Sequence, residues 1–243
     1  MNPPGPHPHP PGADAANPAA ARRRAAALAG HVGDLDTARA HLADPDPGVR
    51  ATALGAFLRA GGPVADVLTL TTDPDPGVRR RLAEELGRRV AGADRADEEH
   101  TGAPAPDEAD GPVVDVLRRL VADEDPLTCE AAAWSLGEVA SSHTGDAPHL
   151  RATTVPVLID AAGHDDALVR EAAVAALGAI GDPAGLATVL QATTDRPAIR
   201  RRAVLALAAF LGEPGVDEAL ERATADRDWQ VRQAAELLRR PDP

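Results

Sequence analysis

Few side chains in this sequence have both the type and the spacing that catalysis requires. Cys129 is the single cysteine, and we expect a small buried residue there rather than a reactive thiol. The run His164-Asp165-Asp166 has the side-chain types of metal ligands, but it precedes a helical pattern and is expected to be a turn with a capping residue. The sequence contains no glycine-rich phosphate loop, no HExxH pair and no paired cysteines. It therefore predicts no catalytic residue, no metal site and no cofactor.

The tryptophans are more informative, because aromatic residues make up only 2% of the chain. Trp134 and Glu138 are four residues apart, which places them on one side of a helix. An exposed tryptophan among charged residues is typical of a protein-binding hot spot. The alternative is local packing, in which Trp134 covers a gap left by the loop near residues 141–149 or by the acidic segment 92–111. We expect Trp229, which follows a helix cap, to be a structural packing residue.

These residues belong to a repeating pattern. The heptapeptide DPDPGVR at Asp44–Arg50 recurs unchanged at Asp73–Arg79, and four related runs follow it. The sixth residue of each run, which precedes an arginine in five of the six runs, serves as position zero. These residues are Val49, Val78, Thr128, Val169, Ile199 and Val231. Their spacings are 29, 50, 41, 30 and 32 residues. A period near 30 with two insertions predicts a solenoid of repeated units.

Each run has the chemistry of a helix start. An aspartate lies three residues before position zero in five of the six runs, where it can accept hydrogen bonds from free backbone N–H groups; these are Asp46, Asp75, Asp125, Asp166 and Asp228. In the fourth run the helix is predicted to span about 167–180 and to end at Gly181. A shorter helical pattern precedes every run, so the unit is a helix–turn–helix, repeated six times after a half unit at about 19–34.

Composition agrees with thin helical layers and limits the classes of partner. The chain is 44% apolar with almost no aromatic residues, so alanine, leucine and valine must fill its core. Its net charge of −13 disfavours attraction to phosphate or to anionic lipid. All 25 basic residues are arginine, as expected for a bacterium with a GC-rich genome. We find no signal peptide and no membrane-spanning run, and we predict a cytoplasmic protein.

Two segments differ from the repeats. Residues 1–18 are rich in proline and are predicted to be a disordered tail. Residues 92–111 form an acidic insertion, predicted to be flexible, that acts either as an exposed tether or as an acidic docking segment. The repeat domain itself is predicted to span residues 19–240.

The pattern D-x-V-R-x-x-A-x-x-A-L-G resembles HEAT repeats, especially the short HEAT-like type of phycobilin lyases. The resemblance implies an all-α right-handed superhelix of about six helix pairs plus the half repeat, with the second helices on its concave face. It also implies a ladder of aspartates and arginines between neighbouring repeats, formed by Asp46, Arg50, Asp75, Arg79, Asp166, Arg170, Arg200, Asp228 and Arg232. The third repeat departs from the pattern at Thr128 and Cys129, and the fifth has Arg196 at the cap.

Helical geometry then selects candidate binding residues on the second helices. Six residues after position zero, a side chain points away from the core of its own repeat; Trp134 and Leu205 occupy such positions. Charged residues lie two after position zero, and these are Arg80, Glu130, Glu171 and Arg201. Because their charges are of mixed sign, we predict a non-enzymatic scaffold or adaptor that binds a protein or peptide in the concave groove.

The main alternative is a DNA-binding HEAT-like protein or an enzyme similar to the alkylpurine DNA glycosylases, which use groove tryptophans and an acid. Trp134 and Glu138 would serve there, but the negative charge of the chain opposes it, and a duplex-binding assay at low salt separates the two hypotheses. Deoxyhypusine hydroxylase, another HEAT enzyme, uses paired His-Glu dipeptides, and no histidine here precedes a glutamate. A chromophore-handling role like that of phycobilin lyases rests on the resemblance alone.

Overall fold

The structure is a computed structural model that describes residues 18–93, 111–142 and 148–239. Within these ranges all regular secondary structure is helical. The predicted proline-rich tail, apart from its last residue, and the predicted acidic insertion, apart from its ends, lie outside the described residues. The chain divides into two compact units, residues 1–67 and 68–243.

The described part of the first unit contains three α-helices. Helix α1 spans Pro18–Val32, α2 spans Leu35–Ala40 and continues into a 3-10 turn at His41–Ala43, and α3 spans Pro47–Arg59. Helix α1 packs along α3, and Gly30 makes this approach possible, since a Cβ atom there would lie 2.7 Å from the Cα of Ala56. Helix α1 is thus the predicted half unit, and α2 with α3 is the first complete pair.

The second unit contains nine described helices. Their bounds are α4 Pro76–Ala93, α5 Gly111–Val121, α6 Pro126–Ser142, α7 Pro148–Ala161, α8 Ala167–Ile180, α9 Leu186–Ala192, α10 Pro197–Ala206, α11 Val216–Thr224 and α12 Trp229–Arg239. A 3-10 segment at Leu68–Thr72 takes the place of the first helix in the second repeat, and α10 continues into another at Leu207–Phe210.

The helices begin where the cap chemistry predicts. The side chain of Asp166 accepts a hydrogen bond from the Leu168 amide, and the other four predicted caps do the same for an amide in their own first turn. Helix α8 ends at Gly181, whose φ of 65° is a conformation that glycine adopts without steric strain. Arg196 makes no side-chain cap bond, so proline alone marks the start of α10.

The second helices α4, α6, α8, α10 and α12 pack against one another in chain order. Small residues allow close contact: a Cβ atom on Gly137 of α6 would lie 2.7 Å from the Cβ of Ala176 on α8. The buried core between the helices consists mainly of alanine, leucine and valine, as composition predicted. The prediction of an all-α superhelix built from helix pairs is confirmed. None of the described helices combines the length and the apolar character needed to cross a membrane.

Candidate functional site

Trp134 stands at the edge of a pocket formed by three consecutive second helices. It projects from α6, and 46% of its surface is exposed. The equivalent positions are Ala175 on α8 and Leu205 on α10, so a small residue separates two large ones. The resulting cavity has a volume of about 520 Å3 and is lined by Trp134, Gly137, Glu138, Ala175, Ala176, Gly178, Ala179, Arg202, Leu205, Ala206, Ala208 and Ala209.

Alanine and glycine give the pocket its depth. They form the floor because α6, α8 and α10 approach closely only where side chains are small, and the same small side chains leave space above them. Trp134 and Leu205 form the apolar walls, and Glu138 and Arg202 are the charged residues of the lining. A cavity of a few hundred Å3 that is mostly apolar, with a few polar groups, is the usual form of a binding site.

Arg202 connects α10 to the two preceding second helices, α8 and α6. Its guanidinium carbon lies 5.9 Å from the centre of the Trp134 ring, within the range of a cation–π interaction. One of its nitrogens lies 3.6 Å from the Glu171 carboxylate on α8. The small side chain of Ala175 lets the arginine reach across α8 to the indole. Trp134 is therefore in contact with Arg202 on one side, and about half of its surface remains exposed to solvent.

The charged residues predicted two positions after zero lie outside the lining of this pocket. Arg80 is 3.7 Å from Glu84 on its own helix, and Glu171 pairs with Arg202. Arg201 is exposed on α10. The structure therefore brings together Trp134 and Leu205 among the six predicted binding residues. Of the other four, three lie on the pocket helices α6, α8 and α10, and Arg80 lies on α4.

Glu130 lies one helical turn before Trp134 on α6 and is half-buried. Burial raises the pKa of its carboxyl group, the neighbouring carboxylates of Glu84 and Glu171 raise that pKa further, and Arg80 acts in the opposite direction. Glu130 is therefore a carboxylate whose negative charge is incompletely balanced.

Arg202 and the alanine floor are the parts of the site that sequence reasoning missed. The arginine triplet Arg200–Arg202 was noticeable in the sequence, but the predicted groove residue was Arg201, and Arg202 is the one that reaches Trp134. Trp134 and Glu138 do lie together on the pocket, as their four-residue spacing predicted.

The environment of the second tryptophan, Trp229, differs from the one predicted. Trp229 was expected to pack structurally, yet 60% of its surface is exposed. Its position at the very start of α12 leaves the indole outside the contact between α10 and α12. On the same helix Leu237, which occupies the position equivalent to Trp134, is 58% exposed.

The arginine ladder is present in the structure, but its acidic partners differ from the predicted ones. Arg79 donates from Nε and Nη2 to the carboxylate of Asp123, both at 2.7 Å. Arg170 makes the same two-pronged contact with Asp195, and Arg200 makes it with Asp226. In the first unit Arg22 pairs with Asp44 in this way. The partner comes from the following repeat, as the resemblance implied.

This geometry corrects the predicted pairing of the ladder. The aspartates predicted as its acidic members were Asp46, Asp75, Asp166 and Asp228, and these cap helices instead. The acid that meets an arginine comes earlier in the turn: Asp226, for example, lies two residues before the cap Asp228, and its carboxylate also accepts from the Asp228 amide at 2.8 Å. The cap and the rung are therefore separate residues of the same turn, although the cap Asp46 also lies 3.4 Å from Arg23.

The ladder arginines also bind within their own repeat. Arg79 donates from Nη1 to the backbone carbonyl of Asp73 at 2.8 Å, and Arg232 donates equivalently to Asp226. Arg50 donates to the carbonyl of Asp44. Each such arginine ties the turn before its helix to the first helical turn, whether or not it also reaches the next repeat.

One rung is replaced at both of its ends. Cys129 stands where the third repeat would have its arginine, and His164 stands where the next repeat would have its acid. The Cys129 thiol donates to the Asp123 carbonyl at 3.0 Å, as the arginines do to theirs. His164 accepts from the Asp166 amide through Nδ1 at 2.9 Å, as the ladder acids do in their turns. Both substitutes keep the local hydrogen bond, and neither supplies the charge needed for a salt bridge.

The environment of Cys129 agrees with its predicted structural role. The residue is buried, and burial, with the nearby negative charge of Asp123, raises the pKa of the thiol. A thiol held protonated is a poor nucleophile. Among the described residues, no group of three or more His, Cys, Asp or Glu side chains is arranged to hold a metal ion.

Comparisons with protein families match this repeated architecture. The family model for HEAT repeats matches residues 155–239, and the model for a HEAT-like repeat matches residues 128–180. The chain therefore contains HEAT repeats within residues 128–239. The matched residues include α8, α10 and nearly all of α6, so the pocket beside Trp134 is built on HEAT second helices. Comparison with curated proteins gives no significant match.

Solved structures of similar fold are repeat proteins. An X-ray structure of YibA from Escherichia coli has a TM-score of 0.60 and 15% identity, covering 96% of this chain and 76% of that one. An engineered protein has a TM-score of 0.59 and 23% identity, covering 84% and 94%. A designed armadillo repeat protein in complex with the peptide (KR)4 has a TM-score of 0.58 and 16% identity, covering 84% and 97%. These similarities establish the fold of the HEAT-repeat chain.

Proposed function

We propose that this HEAT-repeat protein is a non-enzymatic scaffold or adaptor that binds a protein or peptide at the Trp134 pocket. The observation that carries the proposal is a half-exposed tryptophan beside an apolar cavity on three stacked helices. A tryptophan that only covered a gap in the fold would be almost fully buried. This one leaves 46% of its surface to solvent, where a partner can cover it.

The chemistry of the lining favours binding over catalysis. Its apolar walls offer area that a partner would remove from water, and such burial is the main driving force of association. Of the charged groups, Arg202 is already engaged by Glu171 and Trp134. The remaining one, Glu138, suits recognition of a polar group on the partner.

The fold gives a second line of support. HEAT and armadillo-like repeats are commonly protein-interaction scaffolds, and the designed armadillo neighbour is a repeat protein with a bound peptide. Solenoids of this kind use extended surfaces formed by successive repeats. In this chain the positions of Trp134, Ala175 and Leu205 form such a series.

The test is affinity capture from an extract of the host cell, using the tagged protein and mass spectrometry. We expect Trp134→Ala to fold normally and to lose the captured partner, because truncating a central tryptophan weakens binding about 30-fold or more. Trp229→Ala is the matched control, since it removes a more exposed indole at a helix start and should retain the partner. Capture of the same partners by Trp134→Ala at unchanged affinity would rule out the pocket as the binding site.

A further inference from the structure

The shape of the Trp134 pocket fits an apolar side chain. Its floor is formed by small residues such as Ala175 and Ala179, and its walls by Trp134 and Leu205. With a volume of about 520 Å3, it accommodates one bulky aliphatic or aromatic side chain together with the backbone that carries it. The site is open on one side because Trp134 is half-exposed, so an extended chain can lie across it.

Two glutamates flank Trp134 along α6 beside this pocket. Glu138 lines the pocket and is exposed, and Glu130 lies on the other side of Trp134 along α6. Neither carboxylate has an ion-pair partner within the described part of the chain. Of the nearby cations, Arg80 and Arg202 are each within 4 Å of a glutamate, at 3.7 and 3.6 Å, and Arg201 is exposed on α10.

The spacing of these residues creates a position for a cation. Glu130, Trp134 and Glu138 follow one another at four-residue intervals, which places each about 6 Å from the next along the helix axis. An ammonium or guanidinium group beside the indole would lie between two carboxylates and against an aromatic ring that attracts cations. It would also offset the repulsion among Glu130, Glu84 and Glu171 that raises the pKa of Glu130.

We infer that the occupant of the Trp134 pocket is an extended peptide segment of a protein partner in which a lysine or arginine is adjacent to a large apolar residue. The apolar side chain fills the alanine-floored cavity, and the cation lies beside the indole between Glu130 and Glu138. This inference rests on the proposed function and specifies its ligand. The same carboxylates repel acidic peptides and phosphate groups, so they also provide selectivity.

The experiment is selection from a displayed library of random 12-residue peptides, carried out in parallel on the wild-type protein and on Trp134→Ala. We expect the wild type to enrich peptides with a basic residue next to a large apolar residue, and Trp134→Ala to enrich none of them. The enriched peptide is then synthesised with a fluorescent label, and its affinity is measured by anisotropy at about 50 mM and about 300 mM salt.

Charge variants separate the inference from the proposed function. The double substitution Glu130→Gln/Glu138→Gln should weaken binding about ten-fold at low salt, which corresponds to the loss of two partly exposed ion pairs, and it should reduce the salt dependence. The matched control Glu218→Gln/Glu221→Gln removes two exposed charges from α11 and should change affinity less than two-fold. The Gln variants keep the size of the side chains, so packing is preserved.

Each other outcome has a distinct meaning. Enrichment of peptides that lack basic residues, with binding lost in Trp134→Ala, would overturn the inferred ligand and leave the proposed function standing. Equal affinity of the double Gln variant for the basic peptide would do the same. If the wild type enriched no peptide beyond those enriched by Trp134→Ala, both the inferred ligand and the proposed peptide site would be overturned.

Discussion

Single glycines set the distance between neighbouring second helices. Gly137 on α6 faces Ala176 on α8, and a Cβ atom there would lie 2.7 Å from the Ala176 Cβ. Carbon atoms do not approach this closely in proteins, so a methyl group on residue 137 would force the two helices apart. Gly178 has the same role between α8 and Ala206 on α10. These contacts hold together the three helices that form the Trp134 pocket.

We expect Gly137→Ala to destabilise the protein by about 1–3 kcal/mol, the usual effect of inserting a methyl group into a tight contact. The free energy of unfolding in urea, followed by circular dichroism at 222 nm, measures the change. Gly111→Ala is the control, since no heavy atom lies within 4 Å of a Cβ added there, and it should be neutral or slightly stabilising. Unchanged stability of Gly137→Ala would mean that α6 and α8 separate without strain.

At the level of elements, ladder rungs link the second helices α4, α8 and α10 to the turn that begins the next second helix. The rung from Arg79 to Asp123 is well buried, with both side chains less than a tenth exposed. The rung after it is replaced by Cys129 and His164, which keep only their bonds within their own repeats. Hydroxyl groups instead connect α6 to the preceding second helix, α4: Ser135 donates to the Ala83 carbonyl at 2.9 Å.

The missing rung can be restored by Cys129→Arg together with His164→Asp. By equivalence with Arg79 and Asp123, the two new side chains should form a salt bridge, so the double variant should be more stable than the two single effects predict. We expect a coupling energy of about 1 kcal/mol or more. Each single variant should be destabilised, because it leaves a charge without its partner. A double-mutant cycle from urea unfolding measures the coupling, and strictly additive effects would contradict it.

At the level of the whole molecule, the rungs make folding sensitive to acid. Hydrogen bonds from Arg22 lower the pKa of Asp44 to about 2, and Arg170 and Arg200 lower those of Asp195 and Asp226. Burial opposes ionisation of Asp123, but the hydrogen bonds it accepts, chiefly from Arg79, keep its pKa below the usual value. Aspartates in unfolded chains titrate near 3.9, so each of these groups stabilises the folded state above that pH.

Stability should therefore fall as the pH decreases from about 4 to about 2, because the folded state must take up protons at carboxylates held ionised by arginine. Urea unfolding at a series of pH values measures this slope. In Asp195→Asn/Asp226→Asn the slope should be smaller and the stability near pH 7 lower. Asp160→Asn, an exposed acid on α7, serves as the control and should behave as the wild type. A slope that is unaffected by removing the two rung acids would contradict the prediction.

The sequence by itself determined the number of helix pairs, the start of each second helix and the outward position of Trp134. These features depend on interactions within about 15 residues: an aspartate caps its own helix, Gly181 ends α8, and helical periodicity decides which side of α6 has the indole. Only the tertiary structure decided which acid meets each ladder arginine, why Arg202 rather than Arg201 contacts Trp134, and where alanines leave a cavity. Those features depend on the rotation and offset of neighbouring helices, which are set by contacts such as that of Gly137 with Ala176, between residues far apart in the chain.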